Sequence, residues 1–419
     1  MKNVRGMRGA VALSATLVML LIVALLAAQS AGQVRQDAGT IHGQELSMQA
    51  EAAAEGGAQW ALALLNAHAW PSGCGPNTDD PVSPFREQVL AFDAAGHIAI
   101  QGNPGDIHAA CQFQDGQWHC RCRPPIPVVP GDLATPPAPS FQISLQRLVR
   151  PGAVRLTVHA CSHPLGQCSP GQTDAAQASV EQDLALYSAL RSMPRAALTA
   201  SGPILFDDLA NPSIALPVVR NASDMPATLI VQTGAGISGN HEGLDGGPGI
   251  DPASMVRTHQ PQLLASKHDT LFQHQFGVPS ASYSRQAAMR QLTCQAKQDC
   301  SATLNQAQRE GARLMHVQGS ALLHEPLELG NDSRPVILYV DGDLRLEGAA
   351  RLNGLLVVNG TFEWINTPGQ ESRIEGAVIC FGHVALRGPL RLDYSPALLQ
   401  RLRLQQGTFV QLPGGWTSS

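Results

Sequence analysis

Charge is scarce in this chain: Asp, Glu, Lys and Arg make up only 15% of its 419 residues, against about 25% in ordinary soluble domains. The 28 Lys and Arg face 33 Asp and Glu and form no basic run. That leaves no positive surface to neutralise nucleic-acid phosphates, and nucleic-acid binding is excluded. CxxC, HExxH and GxSxG do not occur, which removes the usual sequence signatures of zinc ribbons, zinc peptidases and serine hydrolases. His241-Glu242 and His324-Glu325 each lack the second histidine. What is abundant is apolar residues, 44%, together with 40 Gly and 30 Pro. This is a chain with enough apolar surface to fold and a texture of short strands and turns. Its length suits two or three structural units.

The N-terminus carries the one long apolar run. Gly9 to Ala28 is free of charge, and Lys2, Arg5 and Arg8 precede it. About twenty apolar residues span a bilayer as a helix, and the positive-inside bias sets the short leader in the cytoplasm. A cleavable secretory signal, ending near Ala28 to Gly32, is the alternative, but its apolar core is usually shorter. Either reading exports the body of the chain. From Gln33 to Ala67 the sequence is rich in Ala, Leu, Glu and Gln, so the helix continues until Pro71 ends it.

The basic leader ending Arg8-Gly9, the apolar helix, and AEAAAEGGAQWALALL together resemble the N-termini of PilX-type and MshP-type minor pilin-like proteins of type IV pilus systems. The resemblance implies cleavage between Gly9 and Ala10, and packing of the helix against neighbouring subunits through Leu13, Ser14, Leu17, Leu20, Leu21 and Leu25. Major pilins carry Glu where this chain has Ser14, which turns the expectation from bulk polymerisation toward a tip or assembly role.

Nine cysteines in an exported chain read as disulfides with one thiol left over. In Cys111 to Cys120, Asp115-Gly116 is a hairpin turn signal that places Cys111 opposite Cys120 and Phe113 opposite Trp118. Cys161 with Cys168 and Cys294 with Cys300 close small loops, Cys74 is paired with Cys122, and Cys380 remains. A zinc site at Cys111, His119, Cys120 and Cys122 is the disfavoured alternative, because the hairpin accounts for two of those thiols. Arg123 to Pro139 holds seven prolines and reads as an extended connector. Phe141 to Leu148 and Ala153 to Ala160 read as strands.

From Val336 the glycines fall at 342, 348, 354 and 360, then at 376, 382 and 388, with short aliphatic stretches between them. A fixed short period marks a repetitive fold, and strands this short suit a parallel solenoid better than a free-standing meander. Ala197 to Gly249 has similar texture and supplies first coils. Asp251 to Gly330 reads as a helical excursion, with helices expected over Ser284 to Gln298 and Ala302 to Val317. This half resembles the C-terminal region of PilX-type assembly proteins, whose repeats are similar to bactofilin-like β-solenoids.

Gly234-Ala-Gly236-Ile-Ser-Gly239 fits a dinucleotide-binding pattern, but the fingerprint requires a helix directly after it and NHEGLDGGPGIDP cannot supply one. Glu242, Asp245 and Asp251 form a calcium candidate in a loop without EF-hand spacing, a solvated loop being the alternative. Acids in the repeats look scattered, which argues against a solenoid enzyme.

The expectation is therefore an α+β to mostly β chain. It has a leader, membrane helix and long helix over 1–70, a small pilin-like α+β head over 71–196, and first solenoid coils over 197–250. A helical insertion over 251–330 and solenoid repeats with a tail over 331–419 complete it. The expected function is non-enzymatic: an inner-membrane-anchored minor pilin-like protein in pilus assembly, single-pass, with its body in the periplasm or on a filament. Its expected partners are other pilin-like subunits, the assembly platform and membrane lipid, with no cofactor and no metal. The alternatives are an anchored or secreted β-solenoid that binds a glycan or a protein, and a solenoid carbohydrate-active enzyme.

Overall fold

A computed structural model describes residues 7–68, 84–101, 109–114, 116–122, 138–164, 175–207, 216–221, 228–264, 267–294 and 298–418. A 60-residue helix, Met7–Asn66, opens the chain. Its second half carries Ala50, Ala53, Ala54, Ala58, Ala61, Leu64 and Leu65 as a buried stripe, set against Ile143, Leu156, Val158, Val180 and Leu184 of a six-stranded antiparallel sheet. Small alanines let the helix lie close, and the alternating pattern of Ala153–Cys161 turns Val154, Leu156 and Val158 toward it. The sheet runs in the order Gly407–Ser418, Gln177–Ser188, Ala153–Cys161, Ser140–Arg147, Ala110–Gln114, Gln117–Arg121. Its first strand comes from the far end of the chain. Gly407 lies opposite Ser188, so everything from 189 to 406 is inserted between two neighbouring strands of the head.

That insertion is a three-sided parallel solenoid. Its full coils run through one strand on each of three faces, paired in parallel, while the coil that begins at Met289–Thr293 continues into the helix Ser301–Arg309 instead. The first face stacks Met289–Thr293, Leu314–Gln318, Val336–Val340, the second halves of Ala350–Val358 and Ser372–Cys380, then Ala196–Ala200 and Leu229–Thr233. The second stacks Ala321–Leu323, Leu344–Glu347, Phe362–Ile365, Val384–Arg387, Ile204–Asp207 and Ile237–Gly239. The third stacks Leu327–Leu329, the first halves of Ala350–Val358 and Ser372–Cys380, then Arg391–Tyr394, Val218–Asn221 and Leu244–Asp245. Leu338, Leu356, Val378, Leu346, Trp364, Leu352, Ile374 and Leu392 fill the interior, all essentially buried.

Stacking order departs from sequence order. The coils of residues 196–245 are built first, yet the last coil, 376–394, stacks directly on the first, with Val378 beside Leu198, Val384 beside Ile204 and Arg391 beside Val218. After Val256–Arg257 the chain returns along the outside of the first face to the opposite end. That return strap includes the helix His268–Phe276 and the short helix Ser280–Tyr283. Phe272 and Phe276 pack 4.4 Å apart, with Phe272 5.6 Å from Tyr339 and 5.7 Å from Phe381, so the strap buries the outer side of the first face.

The helical insertion is therefore narrower than expected. Met289–Thr293, inside the first stretch read as a helix, and Leu314–Gln318, overlapping the end of the second, are solenoid strands; the second stretch is helical only in its first part, within Ser301–Arg309, and the insertion's other α-helices are His268–Phe276 and Ser280–Tyr283. Stacking on Val336–Val340 overrides the weak local helix preference. The C-terminal segment is not a tail, since Gly407–Ser418 closes the head sheet.

The membrane helix is also corrected. Among the described residues, no helix is long and apolar enough to cross a membrane. The apolar stretch whose side chains are described runs from 18 to 30, which rises roughly 20 Å against a hydrocarbon core of about 30 Å. Within it Leu20, Leu21 and Leu25 are exposed. The side chains of Gly9, Ala10, Leu13, Ser14 and Leu17 lie outside the described residues.

Candidate functional site

Of the solenoid's three outer faces, the first is covered by the strap and the third carries the most ordered array of polar groups. In a strand, alternate residues point to opposite sides, so with Leu352, Ile374 and Leu392 inside, their neighbours stand outside. Arg351, Arg373 and Arg391 are in register from coil to coil, a column with one guanidinium every 4.8 Å or so. Two positions along the strand, a second column runs Asn353, Glu375, Asp393, Arg220, Asp245. Glu375 and Asp393, which look unrelated in sequence, are therefore neighbours.

The two columns are knitted together. Arg373 donates to Glu375 at 2.9 Å and places Nε 2.8 Å from Asp393. Arg391 Nε donates to Asp393 at 2.7 Å, so the nearly buried Asp393 carboxylate sits between two guanidiniums. Arg351 pairs with Glu371, and Arg220 lies 3.3 Å from Asp245. The second face continues the pattern, with Arg345 bonded to Glu347 at 2.6 Å and to Glu363 at 3.3 Å.

This array was missed in the sequence because the coils differ in length: Arg351 and Arg373 are 22 residues apart, which breaks the six-residue glycine period, and Arg373 and Arg391 are 18 apart. The signal that would have found it is a recurring triplet: Arg351-Leu-Asn, Arg373-Ile-Glu and Arg391-Leu-Asp.

The sequence-derived candidates fall elsewhere. Cys111 is bonded to Cys120 and Cys294 to Cys300. Phe113 meets Trp118 edge-on at 5.5 Å. Cys122 and Cys161 are disulfide-bonded, while Cys74 and Cys168 lie outside the described residues. Cys380 is a buried free thiol facing the carbonyls of Gly360 and His383, and burial pushes it up to about 12, so it is inert as a nucleophile. Glu242, Asp245 and Asp251 do not converge: Asp251 accepts from the Ala253 amide, Asp245 accepts from Gly247 and faces Arg220, and Glu242 is exposed. Among the described residues no group of three metal-binding side chains occurs. The 234–239 glycines form a solenoid corner between Leu229–Thr233 and Ile237–Gly239, with no helix after it.

A cluster of polar side chains, with Arg86, Arg313 and Gln406 buried, ties the head to the solenoid. Arg313 donates to both oxygens of Glu87, at 3.0 and 3.3 Å, and Arg334 stands 3.4 Å from the same carboxylate. Arg86 donates to the Gly407 carbonyl at 2.7 Å and to Gln406 at 2.5 Å, and burial pulls its guanidinium down to about 10. His68, at the end of the long helix, lies 2.9 Å from Arg290, which holds Glu310 at 3.0 Å. Burial, helped by Arg290, lowers the His68 pKa. This junction fixes the solenoid to the head and leaves the third face outward.

No protein-family model matches the chain, and no curated protein matches it. Among solved structures, the competence-associated pilin ComZ from Thermus thermophilus is a weak structural match, 13% identical, with a TM-score of 0.21 over 89% of this chain and 97% of that one. A likeness at that level carries no argument about partner or activity. The expected membrane-anchored assembly protein, its single-pass inner-membrane placement and its contact with lipid are all set aside by the finding that, among the described residues, no helix is long and apolar enough to cross a membrane.

Proposed function

We propose that this chain is a non-catalytic binding module that presents the third face of its solenoid to a protein partner in an oxidising compartment. The carrying observation is the in-register column of Arg351, Arg373 and Arg391 beside Asn353, Glu375 and Asp393. The disulfides Cys111–Cys120 in the head and Cys294–Cys300 in the solenoid suit an oxidising compartment.

A protein partner fits better than a glycan at this face, because its outward positions are guanidiniums, carboxylates and an amide rather than aromatic rings. Guanidinium forks recognise carboxylates bidentately, and a mixed-charge ladder of fixed spacing can exchange its internal pairs for pairs with a complementary surface. Such a face confers specificity and encounter rate more than raw affinity. The same pairing argues against hydrolysis. Glycosidic cleavage uses two carboxyl groups, one of them protonated, whereas Asp393 is held between Arg373 and Arg391 and Glu375 is paired with Arg373.

The test is site-specific photocrosslinking in the native host, with the crosslinker at position 351 or at the exposed control Val149 in the head. The expected result is one discrete adduct from 351 that Arg373→Glu with Arg391→Glu eliminates while the fold persists. Equal labelling from Val149, or an adduct indifferent to the charge reversal, sinks the proposal.

A further inference from the structure

One groove lies off the solenoid. It lies in the head, between the exposed side of the long helix and the end of the C-terminal strand, and encloses about 770 Å³. One wall is Ala52, Glu55, Gly56 and Gln59, successive positions on one helix face. The other is Gln411 to Gly414 and Trp416, with Gln182 on the floor. The pairing register shifts between Gln411 and Trp416, so the intervening residues bulge away from the sheet and open the groove.

Trp416 lies directly opposite Gln182, and opposed residues in an antiparallel pair share a face. The indole therefore stands on the helix side of the sheet, over the groove. Its ring is 49% exposed, with no aromatic neighbour among the described residues. Gln182 is almost fully buried, its amide nitrogen donating to the Asp183 and Gly415 carbonyls at 3.1 and 3.4 Å. Gln59 and Gln411 are exposed on facing walls. The groove thus combines one flat ring, two exposed amides and a single carboxylate.

From this we infer that the groove binds a neutral oligosaccharide of two or three sugar units. The C–H face of a pyranose with equatorial substituents stacks on an indole, which is large, rigid and apolar over its faces. Side-chain amides donate to and accept from sugar hydroxyls at once. The volume falls in the usual range for small-ligand clefts, about 300 to 1,000 Å³. Glu55 disfavours an acidic sugar. Gly56 keeps the helix wall open: nothing lies within 4 Å of where its Cβ would be, so a ring can approach the helix backbone.

The full-length oxidised protein is titrated with cellotriose and with triacetylchitotriose at millimolar concentrations, followed by tryptophan fluorescence and calorimetry. The expected result is saturable binding of at least one of them, weakened at least about tenfold by Trp416→Ala and held within a few-fold by Trp416→Phe. Gly56→Leu fills the groove from the opposite wall and abolishes binding with Trp416 intact. Arg373→Ala leaves the affinity unchanged, which separates this site from the solenoid face. Absence of binding by either trisaccharide, or binding that Trp416→Ala and Gly56→Leu leave intact, overturns the inference.

Discussion

At the scale of single residues, the solenoid depends most on the corners where one strand passes from the third face to the first. Gly354 and Gly376 are stacked partners there, with φ of +149° and +135°. A Cβ on Gly376 would lie 1.8 Å from the Gly354 carbonyl oxygen, and that neighbour is backbone, which cannot swing away. Gly376→Ala is expected to destabilise the chain by about 3 kcal/mol, read as a lower denaturant midpoint at unchanged slope. Gly56→Ala, with open space at its Cβ, is expected to be neutral or slightly stabilising. The glycine spacing was visible in the sequence, and so was a parallel solenoid built on it. The chemistry of the faces was not, because whether Glu375 and Asp393 are neighbours depends on coil length, which local pattern does not reveal.

Elements show a different limit. Ala110–Gln114 and Gln117–Arg121 pair as the turn signal and the flanking residues dictate, since every determinant of a hairpin is local. Met289–Thr293 was illegible for the opposite reason. Its strand state comes from Leu314–Gln318 beside it, and nothing within its own five residues requires it. The strap's helix His268–Phe276 was legible, ending at Gly277 in the left-handed region, but its packing across the first face was not. Its anchor is Phe272, fully buried among Phe276, Tyr283, Tyr339 and Phe381. Phe272→Ala is expected to cost about 3–5 kcal/mol. If the strap does more than fill space, hydrogen exchange should rise across 268–283 and across Val336–Val340 beneath it. A loss of protection confined to the helix would show that the first face is stable uncovered.

For the whole molecule, the junction and the insertion topology decide how the two parts depend on each other. His68 faces Arg290 and Glu310, and burial lowers its pKa; burial lowers His316 as well, opposed by Asp341. A histidine whose folded pKa lies below its unfolded value of about 6.5 contributes stability that is complete above that pH and is lost as pH falls toward the folded value. The melting temperature is therefore expected to drop between pH 7.5 and 5.5, roughly the window of that titration. The drop should be smaller in His68→Gln with His316→Gln; an identical drop would place the acid sensitivity elsewhere. The topology makes the stronger claim. Because Ser188 and Gly407 are cross-strand partners, replacing residues 189–406 by a two-residue Asn-Gly turn would convert these two neighbouring strands into an ordinary hairpin. The head core of Ala54, Leu64, Leu156, Val158 and Phe409 draws nothing from the excised segment, and Asn66 still brackets Phe409 at 2.8 and 3.0 Å. What excision removes is the junction: Gln406 from Arg86, Arg313 from Glu87, Arg290 from His68. The shortened head is expected to unfold cooperatively with its Cys111–Cys120 bond formed, at a lower midpoint than the full chain. A head that fails to fold would mean that the junction, and not the helix-on-sheet core, is what holds it together.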